Sequence, residues 1–268
     1  MLPAVYLFHR EIPMFGICIA LGAVIANLAA IHQIKKSDLD INDFLIAECF
    51  AMLGAFVGAK LLYILVSYRS IDFSRLLEIK YFNDLMRSGF VFYGGLIGAG
   101  LALAIPKYLC RINLGPFLQK TVFAIPLAHG FGRIGCFFAG CCYGCPYHGI
   151  GAVHFSHSLI APTDIPLFPV QIVEAVLLFV LSFIIYKRYS DKERGQTGIE
   201  FYLVSYAVIR FFLEFLRFDY IERGSLHGLS TSQWISIMIC IAVAAAVFYR
   251  KKTLAAQQYA GAFQTSNQ

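Results

Sequence analysis

Charge is scarce in this sequence: 14 % of its 268 residues are Asp, Glu, Lys or Arg, against about 25 % in a soluble domain. So few charges cannot clothe a surface in water, and a soluble globular fold is excluded. The hydrophobic set makes up 59 % of the chain and mean hydropathy is +0.68, values of a polypeptide solvated by lipid. The N-terminal MLPAVYLFHREIP lacks the basic, apolar, small-residue order of a cleavable signal peptide, so the first apolar run is expected to remain as a span. Two halves resembling each other are missing too, and no pair of broken helices stands out, which argues against a solute transporter. The net charge of +6 comes with no basic groove carrying aromatic stacking partners, which argues against nucleic acid as a partner.

Apolar runs long enough to cross a bilayer core, about 20 residues each, are abundant. Seven stretches are expected to span: Ile12–Ile31, Phe44–Val66, Gly89–Tyr108, Phe117–Phe138, Val170–Tyr186, Ile199–Leu216 and Gln233–Tyr249. Basic residues gather at Lys35 and Lys36, at Lys107, Arg111 and Lys120, at Lys187, Arg188, Lys192 and Arg194, and at Arg250–Lys252. These groups follow spans one, three, five and seven. The positive-inside rule then puts the N-terminus outside and the C-terminus in the cytoplasm. The outer connection from Ala139 to Phe168 holds no Lys or Arg, as that orientation requires. The segment after span two mixes Arg69, Arg75, Lys80 and Arg87 with Asp72, Glu78 and Asp84, as a helix on the membrane surface would. The expected fold is an all-α polytopic bundle, residues 1–252, with a polar and disordered tail over 253–268.

Ionisable groups inside spans cost about 2.5–3.5 kcal/mol on insertion scales and are functional candidates by default. Here they are Arg133, Glu174, Arg210, Glu214 and Lys60. Arg210, Glu214 and Arg217 recur at i, i+4 and i+7 and share one helix face; Gln171 and Glu174 share another. Arg210 and Glu214 at helical spacing also suit a purely structural ion pair. Arg133 stands among glycines rather than on a recognisable packed face. Several arginines, each a planar fork of donors, point to a lipid phosphate headgroup as ligand. Gly130, Gly132 and Gly135 formally match a dinucleotide fingerprint, but no strand precedes them. Glycines so dense instead allow close approach of backbone or ligand. Gly54 with Gly58, and Gly94 with Gly98, have the small-xxx-small spacing of helix packing. Ser230-Thr-Ser-Gln233 reads as a capping box opening span seven.

The run Gly132-Arg-Ile-Gly-Cys-Phe-Phe-Ala-Gly-Cys-Cys-Tyr-Gly144 resembles the signature of prolipoprotein diacylglyceryl transferases, Gly-Arg-x-Gly-Asn-Phe-x-Asn-x-Glu-x-x-Gly. Gly89-Phe-Val-Phe-Tyr-Gly-Gly-Leu-Ile-Gly98 is similar to that family's Ser-Phe-His-Gly-Gly-Leu-Ile-Gly. Phe168-Pro-Val-Gln-Ile-Val-Glu174 is similar to its His-Pro-x-Gln-x-x-Glu, and Arg210 through Asp219 to its Arg-x-x-x-Glu-x-x-Arg-x-x-Asp, one residue short. Gln233-Trp-Ile-Ser236 resembles a final Gln-x-x-Ser. The resemblance covers about Phe15 to Ser236. It implies a transferase of the bacterial cytoplasmic membrane that needs no cofactor, moving a diacylglyceryl group from phosphatidylglycerol to the lipobox cysteine of a preprolipoprotein. Arg133 would hold the lipid phosphate, with Arg210 and Arg217 assisting, Gly132, Gly135, Gln171 and Glu174 in support, and Arg210 and Glu214 near the chemistry.

Four polar positions of that pattern are altered. Tyr93 stands where the family has its His, a candidate thiol base; a phenol with pKa near 10 is a poor base at neutral pH. His129, four residues before Arg133, is the imidazole that could take its place; helix packing by a hydrogen bond is its other reading. Cys136, Ala139 and Cys141 replace two Asn and a Glu. Cys136, Cys141, Cys142 and Cys145 lie within ten residues, followed by His148, His154 and His157. Disulfides or plain packing, a metal site and a catalytic thiol all remain open for them. The alternatives to the transferase reading are a relative with the same donor and a different acceptor, and a membrane thiol-redox or metal-binding protein built on this cysteine group.

Overall fold

The computed structural model describes residues 4–7, 10–87, 89–156, 158, 160–189, 197–218, 225–226 and 228–265. The order is β1 (Ala4–Leu7), β2 (Arg10–Pro13), α1 (Met14–Lys36), α2 (Ile41–Val66), α3 (Ile79–Arg87), α4 (Phe92–Ala102), α5 (Ala104–Tyr108), α6 (Leu114–Thr121), α7 (Ala124–Ala139), α8 (Val170–Tyr189), α9 (Gly198–Glu214), β3 (Ser225–Leu226), β4 (Leu229–Ser230) and α10 (Thr231–Thr265). Both strand pairs are antiparallel, Ala4 opposite Pro13 and Ser225 opposite Ser230. The architecture is helical, as expected.

Among the described residues, four helices are long and apolar enough to cross a membrane: α1, α2, α8 and the Thr231–Thr253 part of α10. The α6–α7 pair counts as a fifth if its bent halves form one span. The expected third stretch is interrupted at Leu103, leaving 11 residues in α4, and α9 has 17. Both interruptions follow from proline, which has no N–H to give and whose ring clashes with the carbonyl four residues back. Pro106 stands four after Ala102, where α4 stops, and Pro126 four after Val122, in the gap between α6 and α7. Broken helices, which the sequence reading did not pick out, are thus written in two buried prolines. The tail expected to be disordered continues as helix to Thr265.

The chain forms two compact units, Ile34–Leu118 and the remainder. In the first, α2 and α4 meet through glycine. A Cβ built on Gly58 would overlap the Gly94 carbonyl, one on Gly94 the Gly58 carbonyl, and Gly54 and Gly98 exclude each other in the same way. The small-xxx-small reading holds. Lys60, buried on α2, donates to the carbonyls of Leu85 and Gly89 (3.4 Å for Gly89) and lies 5.0 Å from the ring centres of Tyr63 and Phe90. Its charge is used to close off the chain after α3, a structural role. Leu53, Phe56, Leu61 and Leu65 on α2 are more than 60 % exposed, a contiguous apolar surface suited to lipid. The segment expected on the membrane surface contains α3, nine residues with opposed polar and apolar faces.

In the second unit α8 is central: 44 % of its span is buried, against 11 % for α2, so its polar residues are enclosed. Phe131 of α7 fills the space left by Gly22 on α1, and Phe179 of α8 the space left by Gly130. Ser182 donates to the Phe123 carbonyl at 2.8 Å, which binds α8 to the start of α7. The connection after α7 is folded around Phe155, Ala161 and Leu167, with Leu167 bonded both ways to Val153 at 3.0 Å.

Candidate functional site

Three helices of the larger unit bring charge together. Arg133 on α7 meets Glu174 on α8 at 3.0 Å. The other oxygen of Glu174 faces Arg210 of α9 at 3.9 Å. Arg210 in turn pairs with Glu214 one turn on at 2.7 Å, and Glu214 faces Arg217 at 3.9 Å. Tyr206, one turn before Arg210, donates to Glu174 at 3.5 Å, and Arg210 donates to the Ser232 hydroxyl at 3.3 Å. Side-chain exposure is 1–2 % for Glu174, Glu214 and Arg217 and no more than 14 % for Arg133 and Arg210. Among the described residues this cluster joins three guanidiniums and two carboxylates, in surroundings where charge is costly. Arg133 Nε is buried and has no hydrogen-bond partner. An anion with acceptor oxygens would satisfy that donor.

Arg133, read from sequence as standing apart from a packed face, is therefore a helix residue with a carboxylate partner. The Arg210–Glu214 pair reads as expected, and Glu174 is the unanticipated link between the two arginines. Tyr206 and Ser232 were not singled out, although Tyr206 sits at i−4 from Arg210 on the same face. The glycines divide. Gly135 packs on Phe15 and Cys18, while a Cβ on Gly132 would meet nothing within 4 Å, so the backbone beside Arg133 is open to a ligand.

His129 lies one turn before Arg133, its ring centre 5.2 Å from that of Tyr206, edge to face. Arg133 and Arg210 are its electrostatic neighbours. Tyr93 belongs to the other unit, in the first turn of α4, and is 44 % exposed. Asp219 and His157 lie outside the described residues. The capping box is formed as expected: the Ser230 N–H donates to Gln233 Oε1 at 2.9 Å and the Gln233 N–H to Ser230 Oγ at 3.3 Å.

After α7 the chain turns at Gly140, in the left-handed region at φ +70°, and Cys142 adopts φ +59°. No disulfide joins any of the eight cysteines among the described residues. The sulfurs of Cys136, Cys141 and Cys142 lie within 4.8 Å of one another. Cys145 is outside that group, its N–H bonded to the Leu216 carbonyl at 2.9 Å, and His148 and His154 are exposed. Gln171, one turn before Glu174, donates to the Cys141 carbonyl at 2.8 Å. One face of α8 thus holds the cysteine turn with Gln171 and Arg133 with Glu174.

The model of the family described as prolipoprotein diacylglyceryl transferase matches residues 3–249. A protein of Clostridium perfringens named phosphatidylglycerol–prolipoprotein diacylglyceryl transferase 2 is 34 % identical over 88 % of this chain and 90 % of its own length. A Clostridium tetani protein named phosphatidylglycerol–prolipoprotein diacylglyceryl transferase is 35 % identical over 88 % and 92 %. One of the same name from Finegoldia magna is 28 % identical over 92 % and 95 %.

Proposed function

The chain belongs to the prolipoprotein diacylglyceryl transferase family, and on that premise we propose that it moves the diacylglyceryl group of phosphatidylglycerol to the lipobox cysteine of a preprolipoprotein. The observation that carries this is the buried charge cluster and its unpartnered Arg133 Nε. A phosphodiester brings acceptor oxygens of the kind that Arg133 Nε is without. Arg133 holds the phosphate from the open side at Gly132, while Arg210 and Arg217, each tied to Glu214, supply the rest of the positive field. An apolar cavity of about 300 Å³ between α9 and α10, lined by Ala207, Phe211, Ile237 and Ile241, begins one turn from Arg210 and suits an acyl chain of the same lipid.

In the reaction the cysteine sulfur attacks the glyceryl carbon that bears the phosphodiester oxygen. A C–S bond forms and the C–O bond breaks, its electron pair leaving on the oxygen of glycerol phosphate. Arginines already in place where that charge develops stabilise it without reorganisation. His129, one turn before Arg133, offers an imidazole for the thiol proton.

The seven-span, N-out arrangement in the bacterial cytoplasmic membrane is part of this proposal. Within the larger unit, Lys187 and Arg188 end α8, and Arg250 pairs with Glu200 at 2.7 Å. Glu174, Arg210 and Ser232 lie toward the opposite ends of the same helices, ten or more residues and so about 15 Å away. If the basic end is cytoplasmic, the cluster belongs to the outer half of the bilayer, where a secreted lipobox would meet it. Purified protein incubated with labelled phosphatidylglycerol and a lipobox peptide should release glycerol phosphate and lipidate the peptide. Arg133→Ala should slow this about 10²–10³-fold, as loss of a charge-stabilising donor does. A rate equal to wild type would sink the reading.

A further inference from the structure

We propose that Cys136, Cys141 and Cys142 form a three-thiolate site for a thiophilic divalent cation such as Zn²⁺, whose fourth position takes the acceptor thiol. This rests on the transferase reading above. Three sulfurs within 4.8 Å of one another are close to what such an ion needs. Tetrahedral zinc with Zn–S bonds of about 2.3 Å sets its sulfurs about 3.8 Å apart, so the trio closes on it by about 1 Å or less. A disulfide would use two of the three and strand the other.

The local backbone is built to gather them. Cys136 is on the last turn of α7, and the Cys141 N–H bonds back to the Cys136 carbonyl at 3.1 Å. Gly140 and then Cys142 take left-handed conformations, which a residue bearing a Cβ adopts at a cost. Gln171, 1 % exposed, pins the turn through the Cys141 carbonyl, an outer support of the kind that orients metal ligands. No fourth ligand joins the group among the described residues. Three protein ligands and one open position are the arrangement of catalytic rather than structural zinc.

The position also fits the reaction. Cys136 follows Arg133 by three residues on α7, and Gly144 just past the turn pairs with Arg217, so the thiols lie on the chain between two of the arginines proposed to hold phosphate. Three thiolates and Zn²⁺ carry a net −1, and an acceptor thiolate makes it −2, facing those two cations. Binding at the ion acidifies the acceptor thiol, and its proton passes to His129, the imidazole proposed above to take it. The sulfur then forms the C–S bond, the C–O pair leaves with glycerol phosphate, and the neutral thioether is released as a weak ligand. No oxidation state changes.

The test uses full-length protein, purified reduced in detergent and titrated with Co²⁺ as a spectroscopic probe. One equivalent should bind with sulfur-to-cobalt charge-transfer bands. Cys136→Ser and Cys142→Ser should each abolish the bands, and Cys145→Ser should keep them. A lipobox peptide should shift the bands, and its Cys→Ser form should not. Arg133→Ala should retain metal and bands while losing transfer, so a failed transferase reading is separable from a failed metal site. Wild-type protein that binds no more Co²⁺ than the Cys142→Ser variant overturns the proposal. Undiminished transfer by chelator-treated, metal-free wild type overturns it as well, whether or not the variants fold.

Discussion

In the unit Ile34–Leu118, α2 and α4 touch where side chains are missing; in the other unit, α7, α8 and α9 touch where side chains are charged. Lipid explains why both devices are needed. Apolar side chains gain little by leaving one hydrocarbon for another, so helices associate through close backbone packing or through polar groups that need each other. The glycine contact is generic and asks only for space. The charge cluster is specific: its members answer one another by sign and position, and Arg133 Nε within it is a buried donor that a ligand oxygen would complete. Lys60 sharpens the contrast. It too is a buried cation, yet backbone carbonyls and two rings occupy it.

The largest expected effect is at Glu174, the residue that joins two arginines. Glu174→Ala leaves Arg133 and Arg210 facing each other without their shared counter-ion. Removing one partner of a buried ion pair costs about 3–5 kcal/mol. Thermal unfolding in detergent should drop sharply, and transfer should fall even at temperatures where the variant remains folded. Added phosphatidylglycerol should restore part of the stability by supplying the anion, through ordinary linkage. A Glu174→Ala variant that melts with wild type would remove the electrostatic half of the comparison.

A smaller effect separates glycines that pack from glycines that do not. Gly58→Ala forces a methyl into the Gly94 carbonyl, where neither backbone can yield, and overpacking of this kind costs about 1–3 kcal/mol. Gly100→Ala, on the same helix pair, meets nothing within 4 Å. It should be neutral or stabilising by roughly 0.5–1 kcal/mol, because alanine loses less entropy in a helix. Parallel melts of the two variants decide the matter, and equal shifts would show that α2 and α4 are not held by close approach.

Much of this was legible in advance, for physical reasons that differ by element. Apolar length marked α1, α2, α8 and α10, and the Gly54–Gly58 and Gly94–Gly98 spacings marked the contact in the smaller unit. Helical spacing alone paired Arg210 with Glu214, and Ser230 with Gln233. What could not be read was pairing across helices. Nothing in one helix's periodicity says that Glu174 meets Arg133, 41 positions earlier, or that Cys141 and Cys142 turn back on Cys136. The breaks before Pro106 and Pro126 were legible in principle, since proline acts four residues back, but high local hydropathy hid them. Tyr93, singled out by the resemblance, is an exposed residue of the smaller unit, whereas His129 lies among the charges.

The smallest effect belongs to the charges outside the helices. Arg75 and Glu78 pair at 2.9 Å with both side chains more than half exposed, and Asp72 accepts from the N–H and hydroxyl of Ser74. The Arg75 bond holds the Glu78 carboxyl below its ordinary range, and the bonds from Ser74 do the same for Asp72. A carboxyl depressed in the folded state contributes above its unfolded pKa, about 4, and that contribution fades as pH falls through the folded value. Water and salt screen an exposed pair strongly. Glu78→Gln should therefore leave transfer unchanged and lower the melting temperature by little at pH 6–8, with the difference disappearing below about pH 4. A loss of activity in Glu78→Gln comparable with that of Arg133→Ala would mean that surface charge, not the buried cluster, governs this molecule.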